Sequence, residues 1–148
     1  MKKLLVVLSI ALGISAAAVA QPRAIGARFA NGGEISYQHG LGSNFLEADL
    51  GWWTGGAIAL SGVYDFIIAS PQWTPGSWNV YAGPGANVFL SDGATAVGVC
   101  GQIGLEYTFG SVPLQLSLDL RPNVLSISGG GLHFLDGLYP GFGIRYAF

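Results

Sequence analysis

Charge is the scarcest commodity in this chain of 148 residues. Only 9% of positions are Asp, Glu, Lys or Arg, and the 6 basic residues fall short of the 8 acidic ones. No basic patch is available to neutralise phosphates, so a nucleic-acid-binding role is excluded. There is one cysteine, Cys100, which excludes an intrachain disulfide framework. The only histidines are His39 and His133, and no cluster of residues has metal-ligand spacing. No metal or other cofactor is expected. Past residue 20 no apolar run is long enough for a spanning helix. What is abundant is apolar residues, at 51%, and glycine, at 24 positions. That content excludes a disordered chain, and the length suits one domain.

The first 20 residues have a different character. Lys2 and Lys3 form a positive start. Leu4 to Ile14 is apolar apart from Ser9 and Gly13, and Ala18-Val19-Ala20 offers small residues at the spacing a signal peptidase reads. The expectation is a cleavable secretory signal over 1–20. No cysteine follows the apolar stretch to carry a lipid anchor. Cleavage would leave 128 residues with four arginines against eight carboxylates.

The remaining chain alternates with period two, the mark of strands with one face unlike the other. From Thr95 to Phe109, Val97, Val99, Ile103, Leu105, Tyr107 and Phe109 fall on one face. Cys100, Gln102 and Glu106 fall on the other. Leu114, Leu116, Leu118 and Leu120 likewise oppose Gln115, Ser117, Asp119 and Arg121, and Phe142, Ile144, Tyr146 and Phe148 oppose Arg145. Five further segments, near 23–31, 33–40, 44–53, 56–68 and 77–89, bring the count to eight strands. Asn31-Gly32-Gly33 and Thr54-Gly55-Gly56 are turn signals. The predicted fold is all-β: an eight-stranded antiparallel up-and-down transmembrane β-barrel over 21–148, its first and last strands paired. The tract between residues 122 and 140 is the longest connection, or an outward extension of the last two strands.

The polar face argues for a membrane. It carries Arg28, Glu34, Glu47, Asp49, Asp65, Glu106, Asp119, Arg121 and Arg145 among Gly, Ala and Ser. Small residues beside opposite charges suit a narrow lumen, where glycine makes room and buried charges pair. Arg121 and Arg145 are expected near Asp119, Glu106 and Arg28. The apolar face suits lipid and would be a large exposed patch in water. With both termini on the periplasmic side, Tyr37, Phe45, Tyr64, Phe66, Trp78, Tyr107, Phe109, Tyr146 and Phe148 gather at one rim as an aromatic girdle. Phe29, Trp52 and Phe89 take the opposite rim.

Gly141-Phe142-Gly143-Ile144-Arg145-Tyr146-Ala147-Phe148 resembles the terminal signal read by the outer-membrane barrel assembly machinery, with Phe142, Ile144, Tyr146 and Phe148 as its apolar positions. The whole segment after the leader resembles small barrels of the OmpA/OmpX-like type. Tyr81-Ala82-Gly83-Pro84-Gly85-Ala86, Gly104-Leu105-Glu106-Tyr107-Thr108-Phe109 and Leu118-Asp119-Leu120-Arg121-Pro122 resemble short barrels of Bacteroidota-like bacteria. The resemblance implies a monomer in a Gram-negative outer membrane, partnered by membrane lipid, lipopolysaccharide and the assembly machinery. It departs from OmpA in having no peptidoglycan-binding domain after the barrel, and from OmpX in its short outer hairpins.

Candidate chemistry is thin. His133 has Ser126, Ser128 and Asp136 nearby in sequence, the residue types of a nucleophilic triad. No His-x-Ser pair of the deacylase kind accompanies them. Cys100 is read as an inert buried thiol. The expected function is therefore non-enzymatic, a structural or interaction role with a side-chain-filled lumen. The alternatives are a lipid A-modifying enzyme, a narrow water or ion conduit, and a periplasmic ligand-binding barrel.

Overall fold

A computed structural model describes residues 21–148. The expected signal peptide, 1–20, lies outside the described residues. Eight strands follow one another: β1 (Gln21–Phe29), β2 (Gly32–Leu41), β3 (Asn44–Trp53), β4 (Ile58–Ala69), β5 (Ser77–Ser91), β6 (Ala94–Thr108), β7 (Leu114–Ser128) and β8 (Gly131–Ala147). Each pairs antiparallel with the next, and β1 pairs with β8 from Ala24 opposite Ala147 to Phe29 opposite Phe142. The result is a closed up-and-down barrel, which leaves no open sheet around its girth.

Period-two alternation turns into an inside and an outside. Along β3, Phe45, Glu47, Asp49 and Gly51 are buried while Leu50 and Trp52 are exposed. Along β6, Cys100, Gln102 and Glu106 are buried, and Val97, Val99 and Ile103 stand about half exposed on the outer wall. The buried set is thus mostly polar and the exposed set mostly apolar. That is the reverse of a protein folded around an apolar core.

The strands grow along the chain. β1 to β3 have 9 or 10 residues, β4 has 12, and β5 to β8 have 15 to 17. Residues 131–141 of β8 lie beyond the stretch that pairs with β1. The barrel is therefore low on the β1–β3 side and tall on the β5–β8 side. The extra height lies at the end away from the termini.

Of the two readings of residues 122–140, a long connection or an outward extension of the last two strands, the structure shows the extension. Both strands continue into a hairpin that pairs up to Ser128 opposite Gly131. Gly129 and Gly130 make its turn, with φ of +56° and +77°, the left-handed pair a two-residue hairpin requires. A bulge at Val124 interrupts the alternation within the extension. It sets Leu125 opposite Val99 and shifts the outward positions of β7 from even numbers to odd. The longest connection among the described residues is instead Ser70–Gly76, between β4 and β5.

Candidate functional site

The interior is a lattice of guanidiniums and carboxylates. All nine residues of the polar face picked out above are buried. Arg121 crosses from β7 and donates to Glu47 at 2.9 Å and Asp49 at 2.8 Å on β3, to Ser61 at 2.7 Å on β4, and to Gln102 at 2.6 Å on β6. Arg145 crosses from β8 to Ser36 at 2.8 Å and Glu47 at 3.1 Å, and donates to Ser117 at 2.7 Å. Arg28 bridges Glu34, at 2.7 Å, and Asp119. Glu47 thus accepts from two arginines and from Gln38, at 2.7 Å. Charges removed from water need this density of partners.

The pairing differs from the expected one. Arg28 and Asp119 do meet, but Arg121 and Arg145 reach across to β2, β3 and β4, and Glu106 pairs with a fourth arginine, Arg23. Arg23 was missed because alternation places it outside. Pairing skips it, since Pro22 opposes His39 and Ala24 opposes Gln38. That bulge aims the side chain inward. Every arginine among the described residues therefore takes part in the lattice. Asp65 is the interior carboxylate with no arginine partner among the described residues, and it accepts from Gln102 at 3.1 Å.

Glycines on the tall side clear the space. A Cβ on Gly141 would run into the Arg28 guanidinium, one on Gly143 into Arg145, and one on Gly104 into the Tyr81 ring. Long side chains thus lie over bare backbone of the same or the neighbouring strand.

Aromatic residues close both ends of the lattice. Near the termini, Phe45 is fully buried. It meets Tyr81 edge-on at 5.2 Å and lies 4.2 Å beneath the Arg23 guanidinium carbon. This corrects its assignment to the outer girdle, because Phe45 shares parity with Glu47 and Asp49. At the hairpin end Trp53 packs between Phe89 and Tyr139, each 4.7 Å away, and its indole N–H donates to Glu34 at 2.8 Å. Phe89 therefore belongs to this internal cap and not to the rim, because it shares parity with the buried Asn87. Tyr81, Trp53 and Tyr139 went unnoticed in the sequence, where an aromatic on the polar face looks like an irregularity.

The other girdle aromatics lie outside, toward the terminal end. Tyr64 packs on Phe66, Trp78 on Tyr107, Tyr107 on Phe109, and Tyr146 on Phe148. Tyr37 shares a hydrogen bond of 3.0 Å with His39 Nδ1. Phe142 and Ile144 of the terminal strand are exposed on the outer wall.

The triad candidates sit in the tall hairpin. Ser126 pairs in register with His133, yet its hydroxyl donates to Asp136 Oδ2 at 2.9 Å. The serine is thus bound to the acid and not to a base. Cys100 is buried within the wall, and no group of three metal-ligating side chains forms among the described residues.

An all-β closed barrel with an ion-paired interior is the class these features define. Comparison of the chain with known protein families, with curated proteins and with solved structures finds no match.

Proposed function

We propose that this chain is a small integral protein of a bacterial outer membrane, a monomeric barrel with a structural or interaction role and a lumen plugged by its own side chains. The observation that carries this reading is the inverted polarity. Glu47, Arg145 and Arg28 are buried to 1% or less, while Leu118 is 62% exposed and Ile103 52%. Water disfavours that arrangement, and acyl chains favour it. Strand length agrees. A strand tilted by about 45° needs about 9–11 residues to cross a bilayer, the length of β1 to β3. On this reading residues 1–20 direct export, the Phe142–Phe148 strand is read by the assembly machinery, and lipid and lipopolysaccharide surround the wall.

The test is electrophoretic mobility with and without boiling, combined with extraction. A closed membrane barrel keeps a distinct mobility in SDS until heated, and it leaves the membrane only in detergent. Release of the chain into alkaline buffer without detergent would defeat the proposal and favour a periplasmic barrel. Planar-bilayer recording should give no conductance steps. An eight-stranded barrel is just wide enough for its own side chains, and here arginines and carboxylates fill it. A lipid A-modifying role finds no support in the bonding of Ser126. His133→Ala should leave the lipid A mass spectrum unchanged.

A further inference from the structure

The Ser70–Gly76 connection contains no charged residue and carries two prolines around Trp73. It folds over the rim, held to Trp78 and Tyr107 on the outer wall and to Asn79 on the lumen side. Trp78 Nε1 donates to Thr74 Oγ1 at 2.8 Å, the Tyr107 hydroxyl donates to the Pro75 carbonyl at 2.6 Å, and Ser70 donates to Asn79 at 2.7 Å. Gly76 presses so closely on the Tyr107 ring that a Cβ would collide with it. Trp73 then packs edge-on against Trp78 at 5.3 Å and stays 62% exposed.

Two apolar grooves open beside this platform. One, of about 210 Å³, lies between Trp78, Tyr107, Leu116 and Phe142. The other, wide and nearly flat, lies between Trp73, Val80, Ile103 and Leu120. Leu105 and Leu118 line both and form the ridge that separates them.

We infer that the two grooves hold the two acyl chains of one diacyl phospholipid with a zwitterionic headgroup, straddling the Leu105–Leu118 ridge under the Trp73 loop. This rests on the membrane reading above. Paired grooves with a common ridge match a two-chain lipid better than a single fatty acid. Charge selects the headgroup. Each arginine among the described residues is engaged in the interior lattice, and the described residues include no lysine. The platform therefore offers a phosphate no cation. The Trp78 N–H and the Tyr107 hydroxyl are engaged in holding the loop, which leaves the exposed Trp73 indole at the height where a neutral headgroup lies. A net anionic headgroup would sit here uncompensated.

The test compares the parent barrel with Trp73→Ala, both refolded into mixed phosphatidylethanolamine and phosphatidylglycerol vesicles, by native mass spectrometry from a neutral detergent. The parent should retain one phosphatidylethanolamine in preference to phosphatidylglycerol, and Trp73→Ala should lose it. A second measurement uses Trp73→Phe to isolate the Trp73 emission. Phosphatidylcholine brominated near the glycerol end of its chains should quench it, and aqueous iodide should not. Equal lipid retention by parent and variant would overturn the inference. So would preference for the anionic lipid, quenching by iodide alone, or a cross-linked dimer occupying the grooves. Both variants should keep their heat-shifted mobility, so these outcomes leave the membrane reading standing.

Discussion

The low wall and the tall wall of this barrel solve different problems. β1 to β3 carry Arg23, Arg28, Glu34, Gln38, Glu47 and Asp49 inward, within strands of 9 or 10 residues. β5 presents Tyr81, Gly83, Gly85 and Asn87 to the same lumen and bears no charge, yet it runs for 15 residues. The low wall supplies five of the ten interior charges from its short strands, while β5 supplies none and offers hollows at Gly83 and Gly85. A lumen this narrow cannot hold long polar side chains from every side at once, since interiors pack densely. Placing glycines between the charged positions, as at Gly51 beside Glu34, Gly141 beside Arg28 and Gly143 beside Arg145, leaves room for Arg121 and Arg145 to cross the axis to their partners. On the membrane reading the low wall has the height of a bilayer. The tall wall exceeds it by about five residues per strand at the end away from the termini.

The largest effect should come from Glu47, where arginines from both β7 and β8 end on β3. Glu47→Ala leaves Arg145 without a carboxylate and Arg121 with Asp49 as its only one. Breaking a buried ion pair costs about 3–5 kcal/mol. Urea titration of the refolded barrel, followed by tryptophan emission or by loss of the heat-shifted band, measures it. A loss of less than about 1 kcal/mol, the worth of an exposed pair, would mean that water reaches the lattice.

The next test asks where the membrane stops on the tall side. Leu118→Arg puts a cation on the outer wall a few residues from the terminal end and should cost about 2–4 kcal/mol. Ile127→Arg, on the same strand but in the hairpin extension, should cost only about 0–1 kcal/mol. Equal penalties would show that the whole tall wall lies in lipid and would remove the distinction between the two heights.

The division of labour between ion-bearing and hollow walls can be probed with two glycines. Gly141→Ala pushes a methyl group into the Arg28 guanidinium, which Asp119 and Glu34 hold in place. Overpacking of this kind costs about 1–3 kcal/mol. Gly62 lies on the outer wall with open space where its Cβ would go. Gly62→Ala should gain about 0.5–1 kcal/mol, since glycine weakens a strand interior. Denaturation midpoints of the two variants should move in opposite directions.

Alternation along the chain reveals the barrel wherever strands are regular. Residues 95–109 read correctly as a strand with Val97, Val99 and Ile103 outside because nothing interrupts the pleat from Ala94 to Thr108. The same rule fails where one extra residue enters a strand. The skip at Arg23 turned a lattice member into an outward residue, and the bulge at Val124 breaks the alternation that would have decided between a loop and an extension over residues 122–140. Phe45 and Phe89 failed for another reason. Their parity marked them as internal, but the affinity of aromatics for rims outweighed it. The pairing of charges across the lumen was not legible, because Arg121 with Glu47 or Arg145 with Glu47 depends on how far each side chain reaches across a closed circle.

The smallest expected effect lies at Leu135, in the tall hairpin, and it bears on whether that extension is built for stability. Leu135 is the described non-glycine residue with positive φ, at +51°, and its side chain is 74% exposed. A left-handed backbone costs an L-residue about 1–2 kcal/mol, and here little packing offsets it. The kink falls where β7 and β8 lose register, between the Asn123–Gly137 and Leu125–Phe134 pairs. It also places Asp136 to accept from Ser126. Glycine adopts this conformation freely, so Leu135→Gly should raise stability by about 1 kcal/mol in the same urea titration. A stabilised variant would mean that the tall wall holds a backbone conformation at some cost, whereas the low wall holds its charges because each has a partner. A destabilised one would mean that the exposed leucine contributes packing, and the two walls would then obey the same rule.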